Sequence, residues 1–130
     1  MARFDKVDPK DGSFRAKLDA AIVAADAGKV FGVGLNADGR VVRGAGNTGV
    51  KGVICATEAM AAGDPIDVMT DGELADFKTL NDGTTALTAG TNYYAAAGDG
   101  DISTTNTGTL IGWTVDIADG RGRFIVRVAR

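Results

Sequence analysis

Apolar and polar side chains alternate along much of this chain, and the alternation breaks at glycine. Phe14, Ala16 and Leu18 alternate with Arg15 and Lys17, the period-two signal of a half-buried strand. Val30 to Leu35 reads as a strand, and the Asn36-Ala37-Asp38-Gly39 turn returns it through Arg40 to Arg43. Gly44, Gly46 and Gly49 then form a loop before a further strand from Val50 to Cys55. The alanine-rich stretch from Asp19 to Asp26 and the segment from Ala56 to Ala62 each suit one or two helical turns at most. The pattern predicts an all-β chain of roughly eight to ten short strands.

Six Asp-Gly dipeptides punctuate these runs: Asp11-Gly12, Asp38-Gly39, Asp71-Gly72, Asp82-Gly83, Asp99-Gly100 and Asp119-Gly120. Asp-Gly suits tight hairpin turns, which need positive φ. Three of the dipeptides close a repeated unit opened by an Ala-Gly pair, at Ala27-Gly28, Ala62-Gly63 and Ala89-Gly90. The unit is then strand, Asp-Gly, strand, so the repeat predicts a hairpin-rich scaffold.

Turn length assigns partners in two of these hairpins. A two-residue loop at Asp71-Gly72 places Ile66 opposite Phe77, Val68 opposite Ala75 and Asp67 opposite Asp76. Two lone carboxylates on an edge are more often solvated than metal-bound, and no metal site is expected there. A two-residue loop at Asp119-Gly120 places Ile111 opposite Val128, Trp113 opposite Val126, Val115 opposite Phe124 and Asp116 opposite Arg123. That register puts the large apolar residues on one face, with Trp113 in the core.

The chain has 130 residues, enough for one domain with a real core. The expected architecture is a single compact β-barrel or β-sandwich-like domain over 14–130, preceded by a polar segment at 1–13. That segment is an arm or a frayed terminus; Phe4 and Val7 are its only large apolar groups. Charge changes the picture further. Residues 1–17 carry five basic and three acidic side chains, 18–117 five and thirteen, and 118–130 four and one. An acidic body disfavours nucleic-acid binding, which needs phosphate-neutralising cations on one face. The basic ends suit an acidic protein surface, and Arg3, Phe4 and Lys6 are the candidate contacts. No secretory leader and no apolar run of membrane-spanning length are expected here.

Candidate chemistry is sparse. The chain has no histidine, which removes the commonest general base and zinc ligand and every Ser-His or Cys-His nucleophile. Many of its aspartates occupy turn positions, where they shape the backbone. The string from Gly44 to Gly49 matches G-x-G-x-x-G, but a strand follows it instead of the helix a dinucleotide site requires. Gly98-Asp99-Gly100-Asp101 lacks the ligand alternation of a calcium loop. Cys55, the one cysteine, follows Val53-Ile54 and reads as a small buried hydrophobe. No catalytic, cofactor-binding or metal residue is predicted.

With those residues in hand, the sequence resembles a known family, the capsid decoration (head-stabilisation or cement) proteins of tailed bacteriophages, particularly those infecting actinobacteria. The resemblance lies in Phe14-Arg15-Ala16-Lys17-Leu18, Gly28-Lys29-Val30, Asn47-Thr48-Gly49-Val50 with Gly52-Val53-Ile54, and Ala62-Gly63-Asp64 with Val68-Met69-Thr70. It continues in Ala89-Gly90-Thr91-Asn92-Tyr93-Tyr94, Gly108-Thr109 and Gly112-Trp113-Thr114. Residues 1–13 lie outside it. The resemblance implies a non-enzymatic virion protein without cofactor, on the outer capsid surface, trimeric, bridging capsomers through the major capsid protein. An alternative from another class is a carbohydrate- or receptor-binding module using Tyr93-Tyr94 and Trp113 as sugar platforms.

Overall fold

The computed structural model describes residues 12–74, 77–116 and 122–128. Ten strands follow in chain order: β1 (Ser13–Lys17), β2 (Val30–Leu35), β3 (Val41–Arg43), β4 (Gly52–Cys55), β5 (Pro65–Met69), β6 (Asp71–Leu74), β7 (Asn92–Ala95), β8 (Ile102–Ser103), β9 (Thr109–Asp116) and β10 (Gly122–Arg127). One 3-10 turn, Ala24–Asp26, is the helical content among the described residues. The expected turn at 56–62 is instead irregular chain, with Met60 bridged to Ile22. The all-β expectation holds.

The strands form two antiparallel five-stranded sheets, ordered β1-β5-β4-β2-β3 and β6-β10-β9-β7-β8. The first curls into a small barrel. Leu18, just past β1, bridges Val41 of β3, and the Asp19 amide donates to the Val41 carbonyl at 3.0 Å. Alternation explains the curl. Phe14 and Ala16 face Val68 and Ile66 across β1 and β5, while Arg15 and Asp67 between them pair outside at 2.9 Å. Phe31, Val33, Val41, Ile54, Ile66 and Val68 fill the interior with Leu18 and Ile22.

β2 is buried on both faces. Its odd residues fill the barrel, and Val30 belongs to a second core shared with the other sheet. That core holds Val53, Tyr93, Ala95, Ile102, Ile111, Phe124 and Val126. The Phe124 ring meets Phe77 edge-on at 5.3 Å and Tyr93 at 5.7 Å.

Backbones, not side chains, form the closest contact between the two units. The Gly32 amide donates to the Gly100 carbonyl at 2.8 Å, while the Gly44 amide, within the barrel, donates to the Gly32 carbonyl at 2.9 Å. The Ala45 amide reaches the Ala97 carbonyl at 2.9 Å. A Cβ on Gly32 would stand 2.2 Å from the Ala95 methyl, and one on Gly44 would stand 2.4 Å from the Ala97 carbonyl. The Asn81 side chain adds a second tie. Its Oδ1 accepts the Val30 amide at 2.9 Å, and its Nδ2 donates to the Val30 carbonyl at 2.6 Å and to Asp101 at 3.0 Å.

Two of the three repeated units are hairpins. Asp38-Gly39 turns β2 into β3, and Asp99-Gly100 turns β7 into β8. The third is a correction. Asp71-Gly72 lies within β6, and Ile66 and Val68, expected opposite Phe77 and Ala75, face Ala16 and Phe14 of β1; Ala75 lies outside the described residues. Thr70 instead carries an extended chain from barrel to second sheet. Its amide donates to Gly12 at 2.8 Å, and its carbonyl accepts the Val128 amide at 3.0 Å. Pairing with β10 gives β6 a backbone partner and lays Leu74 beside the aromatic core. An Asp-Gly pair permits a turn without imposing one.

The C-terminal strands also pair one residue away from the expected register. Thr114 faces Phe124, Trp113 faces Ile125, Val115 faces Arg123 and Gly112 faces Val126. The turn dipeptide Asp119-Gly120 lies outside the described residues. A separate irregularity, a bulge in the β7–β9 ladder between Tyr93 and Tyr94, changes which side chains of β9 face inward. Ile111 and Gly112 are buried consecutively there, so the parity of β9 reverses. Phe124, Val126 and Val128 point inward as expected, but Trp113 is half-buried on the outer face. Thr114 takes the inward place, its Oγ1 without a hydrogen-bond partner.

Two stability comparisons follow. Gly32→Ala should cost about 1–3 kcal/mol, because the Ala95 methyl has no rotamer by which to yield. Gly28→Ala has open space around it and meets only its positive φ of 82°, a cost of roughly 1–2 kcal/mol. Urea unfolding should rank Gly32→Ala at or above Gly28→Ala; the reverse order would contradict the close seam. In the same assay Phe124→Ala should cost about 3–5 kcal/mol and Trp113→Ala clearly less.

Candidate interaction surfaces

Several of the acidic side chains hold the fold together. Asp67, expected opposite Asp76, faces Arg15 across the β1–β5 ladder, with contacts of 2.9 and 3.4 Å; Asp76 lies outside the described residues. Asp99 accepts the Asp101 amide at 3.0 Å, and Asp101 holds Asn81. Asp26 pairs with Lys29 at 3.4 Å and Arg43 at 3.5 Å. Among the described residues no three His, Cys, Asp or Glu side chains converge on a common point.

Asp82 shows why aspartate sits at these turns. It closes a small hairpin in which Thr79 bridges Ala86. Its carboxylate accepts the Thr84 and Thr85 amides, both at 2.9 Å, and the Thr85 hydroxyl at 2.5 Å. Those donors, led by the Thr85 hydroxyl, lower its pKa to about 2.

Cys55 corrects the expectation of a buried thiol. Its neighbours Val53 and Ile54 point into the two cores, while Cys55, the last residue of β4, is exposed. Partial desolvation still raises its pKa. A reactive thiolate needs the opposite shift.

The predicted partner-contact residues Arg3, Phe4 and Lys6 lie outside the described residues. The aromatic residues separate. Tyr93 is buried at 2% exposure, and its hydroxyl accepts the Thr88 amide at 2.8 Å, so it offers no platform. Tyr94 and Trp113 are half-buried on the outer face of the second sheet. Register sets Leu110 beside Tyr94 and Ile125 beside Trp113, and Leu110 is 39% exposed. The Arg123–Glu73 ion pair, at 3.1 Å, borders this apolar stripe. The expected Asp116–Arg123 pair gives way to it: the β9–β10 register sets Val115, not Asp116, opposite Arg123, and β6 on the other edge of β10 brings Glu73 within reach.

A second feature is an open groove of about 250 Å³ beside the Asp82 hairpin, lined by Lys29, Phe77, Lys78, Leu80 and Asn81 among others. Arg43 stacks on Phe31 at 3.7 Å and donates to the Asp99 carbonyl at 3.1 Å, clasping barrel to second sheet. Sequence reasoning missed Asn81 and Arg43, since neither stands in a motif and both act over more than fifty residues.

No protein-family model and no curated protein matches this chain. Among solved structures the chain is similar in fold to one from Mycobacterium phage Patience. The TM-score is 0.71 and the identity 23%, over 97% of this chain and 95% of that one. The likeness therefore covers both sheets and the seam between them.

The turn chemistry makes a pH prediction. The Asp82 pKa is lower in the folded chain than the ~3.9 of a free aspartate. Its contribution is thus fully present above pH ~4 and lost as pH falls toward 2. Thermal melts should find Asp82→Ala less stable than the parent at pH 7, with the gap closing by pH 2. A gap independent of pH would contradict the carboxylate's role.

Proposed function

We propose that this chain is a phage capsid decoration protein. It binds the outer surface of the mature head through the major capsid protein and stabilises it by bridging capsomers. The observation that carries the reading is the end-to-end fold likeness to a mycobacteriophage chain, joined to the decoration-family resemblance of residues 14–130. The remaining features support it. Carboxylates such as Asp82, Asp99, Asp67 and Glu73 shape turns or pair with cations, which suits a structural and non-enzymatic role. A 13.3 kDa chain offers limited contact area. Association as a homotrimer, repeated over the shell, supplies avidity that single contacts lack.

The acidic body and basic ends assign separate roles. Arg3 and Lys6 meet acidic capsid groups, and Phe4 supplies an apolar anchor that offsets the ordering cost of the segment. A second reading, a carbohydrate-binding module, has Tyr94 and Trp113 on the outer sheet face in its favour.

Undecorated heads of the encoding phage, mixed with purified protein and recovered by sedimentation, test the proposal. The wild-type chain should saturate the heads. The combined variant Arg3→Glu, Phe4→Ala, Lys6→Glu should fold normally yet bind at least tenfold more weakly. Wild-type binding should also weaken at high salt as screening grows. Absence of head binding, together with retention on glycans lost in Trp113→Ala, would favour the second reading.

A further inference from the structure

Two large hydrophobic side chains stand exposed among the described residues, Val23 at 57% and Leu110 at 39%. Val23 lies on a loop of the barrel and Leu110 on the second sheet. We infer that they meet between copies: the Val23 loop of one copy packs on the Leu110 face of the next, head to tail. The inference deepens the homotrimer of the proposed function and rests on it for the number of copies.

The loop is built to hold Val23 outward. Ile22 and Met60 exchange both backbone hydrogen bonds, at 2.8 and 2.9 Å, and Ile22 is buried in the barrel core. Val23 follows on the opposite side, and the 3-10 turn Ala24–Asp26 fixes the chain beyond it. Ala21 and Ala24 beside it are exposed and small, so a partner surface can come close. Acidic side chains rim the loop. The Leu18 amide donates to the Asp64 carbonyl at 2.9 Å, which sets Asp19 near Asp64. Glu58 lies two residues before the Met60 bridge. All three acids are exposed, and they outnumber Lys17 at the end of β1.

The face has the opposite rim. Leu110 belongs to the apolar stripe with Tyr94, Trp113 and Ile125. Side chains two apart on a strand share a face, so Arg123 and Arg127 flank Ile125 on that side, both exposed. Tyrosine, tryptophan and arginine are the residues that most often carry interface energy.

Charge selects the occupant. Residues 18–117 carry five basic and thirteen acidic side chains, and 118–130 four basic and one acidic. The loop belongs to the acidic stretch and the arginines to the basic one. An apolar face rimmed by arginines complements an apolar loop rimmed by carboxylates, and each copy presents one of each. Loop and face are different surfaces, so the contact is heterologous, the kind that can close three copies into a ring.

Cysteine cross-linking of the free, full-length protein tests this. A Cys55→Ser background removes the exposed native thiol. Val23→Cys and Leu110→Cys replace exposed side chains and should melt like the parent. With a short bismaleimide, their mixture should give about tenfold more linked dimer than either alone. A chain carrying both should give a band of three linked copies. Arg123→Glu with Arg127→Glu should lower that yield about fivefold, as should Asp19→Lys with Glu58→Lys, and all four together should restore it. Dimers from Leu110→Cys alone assign the face to a two-fold contact and overturn the inference. A mixture no better than its components overturns it too, as does a ladder running past three copies. Head sedimentation is a separate readout: heads saturated by a chain that fails to cross-link overturn this contact and leave the capsid reading standing.

Discussion

The architecture depends on how closely Gly32 and Gly44 of the barrel approach Ala95, Ala97 and Gly100 of the second sheet. At this seam amides bond to carbonyls across two units, a contact that side chains would hold apart. The would-be Cβ positions make the constraint concrete: 2.2 Å from Ala95 at Gly32 and 2.0 Å from the Gly32 carbonyl at Gly100. Once the backbones meet, Asn81 and Arg43 have partners, and the core around Phe124 gains a wall from the barrel. The seam also links two of the Ala-Gly units, which supply β2–β3 on one side and β7–β8 on the other.

That dependence separates what the sequence made legible from what it did not. Local patterns carried through where one face alone decides. β2 spans Val30–Leu35 as the pattern predicts, and Asp38-Gly39 and Asp99-Gly100 turn their hairpins. The errors occur where distant chain decides. Asp71-Gly72 has ideal turn chemistry, yet β10 offers a ladder that the extended form satisfies better. Trp113 was placed inward by strict alternation, which a bulge opposite Tyr93 and Tyr94 reverses. Cys55 follows two buried residues but ends its strand. Each error concerns a long-range partner, and period-two reasoning has no access to such partners.

The interaction surfaces were less legible than the fold. Of the aspartates read as turn residues, Asp38, Asp82 and Asp99 lie in turns while Asp71 lies in β6, and Asp82 with its three donors shows what such a residue does. The apolar stripe of Tyr94, Leu110, Trp113 and Ile125 was not foreseen, because its existence follows from the reversed parity of β9. Ion pairs between neighbouring strands, such as Arg123 with Glu73, likewise depend on a strand order that local sequence does not reveal.

We propose that this two-sheet scaffold coats a phage head. Quantitative mass spectrometry of purified virions of the encoding phage tests it most directly, by the molar ratio of this chain to the major capsid protein. A decoration protein must be present at a fixed ratio near one copy per capsid subunit, or a simple fraction of it set by the local threefold positions. A few copies per particle, or none, would contradict the account.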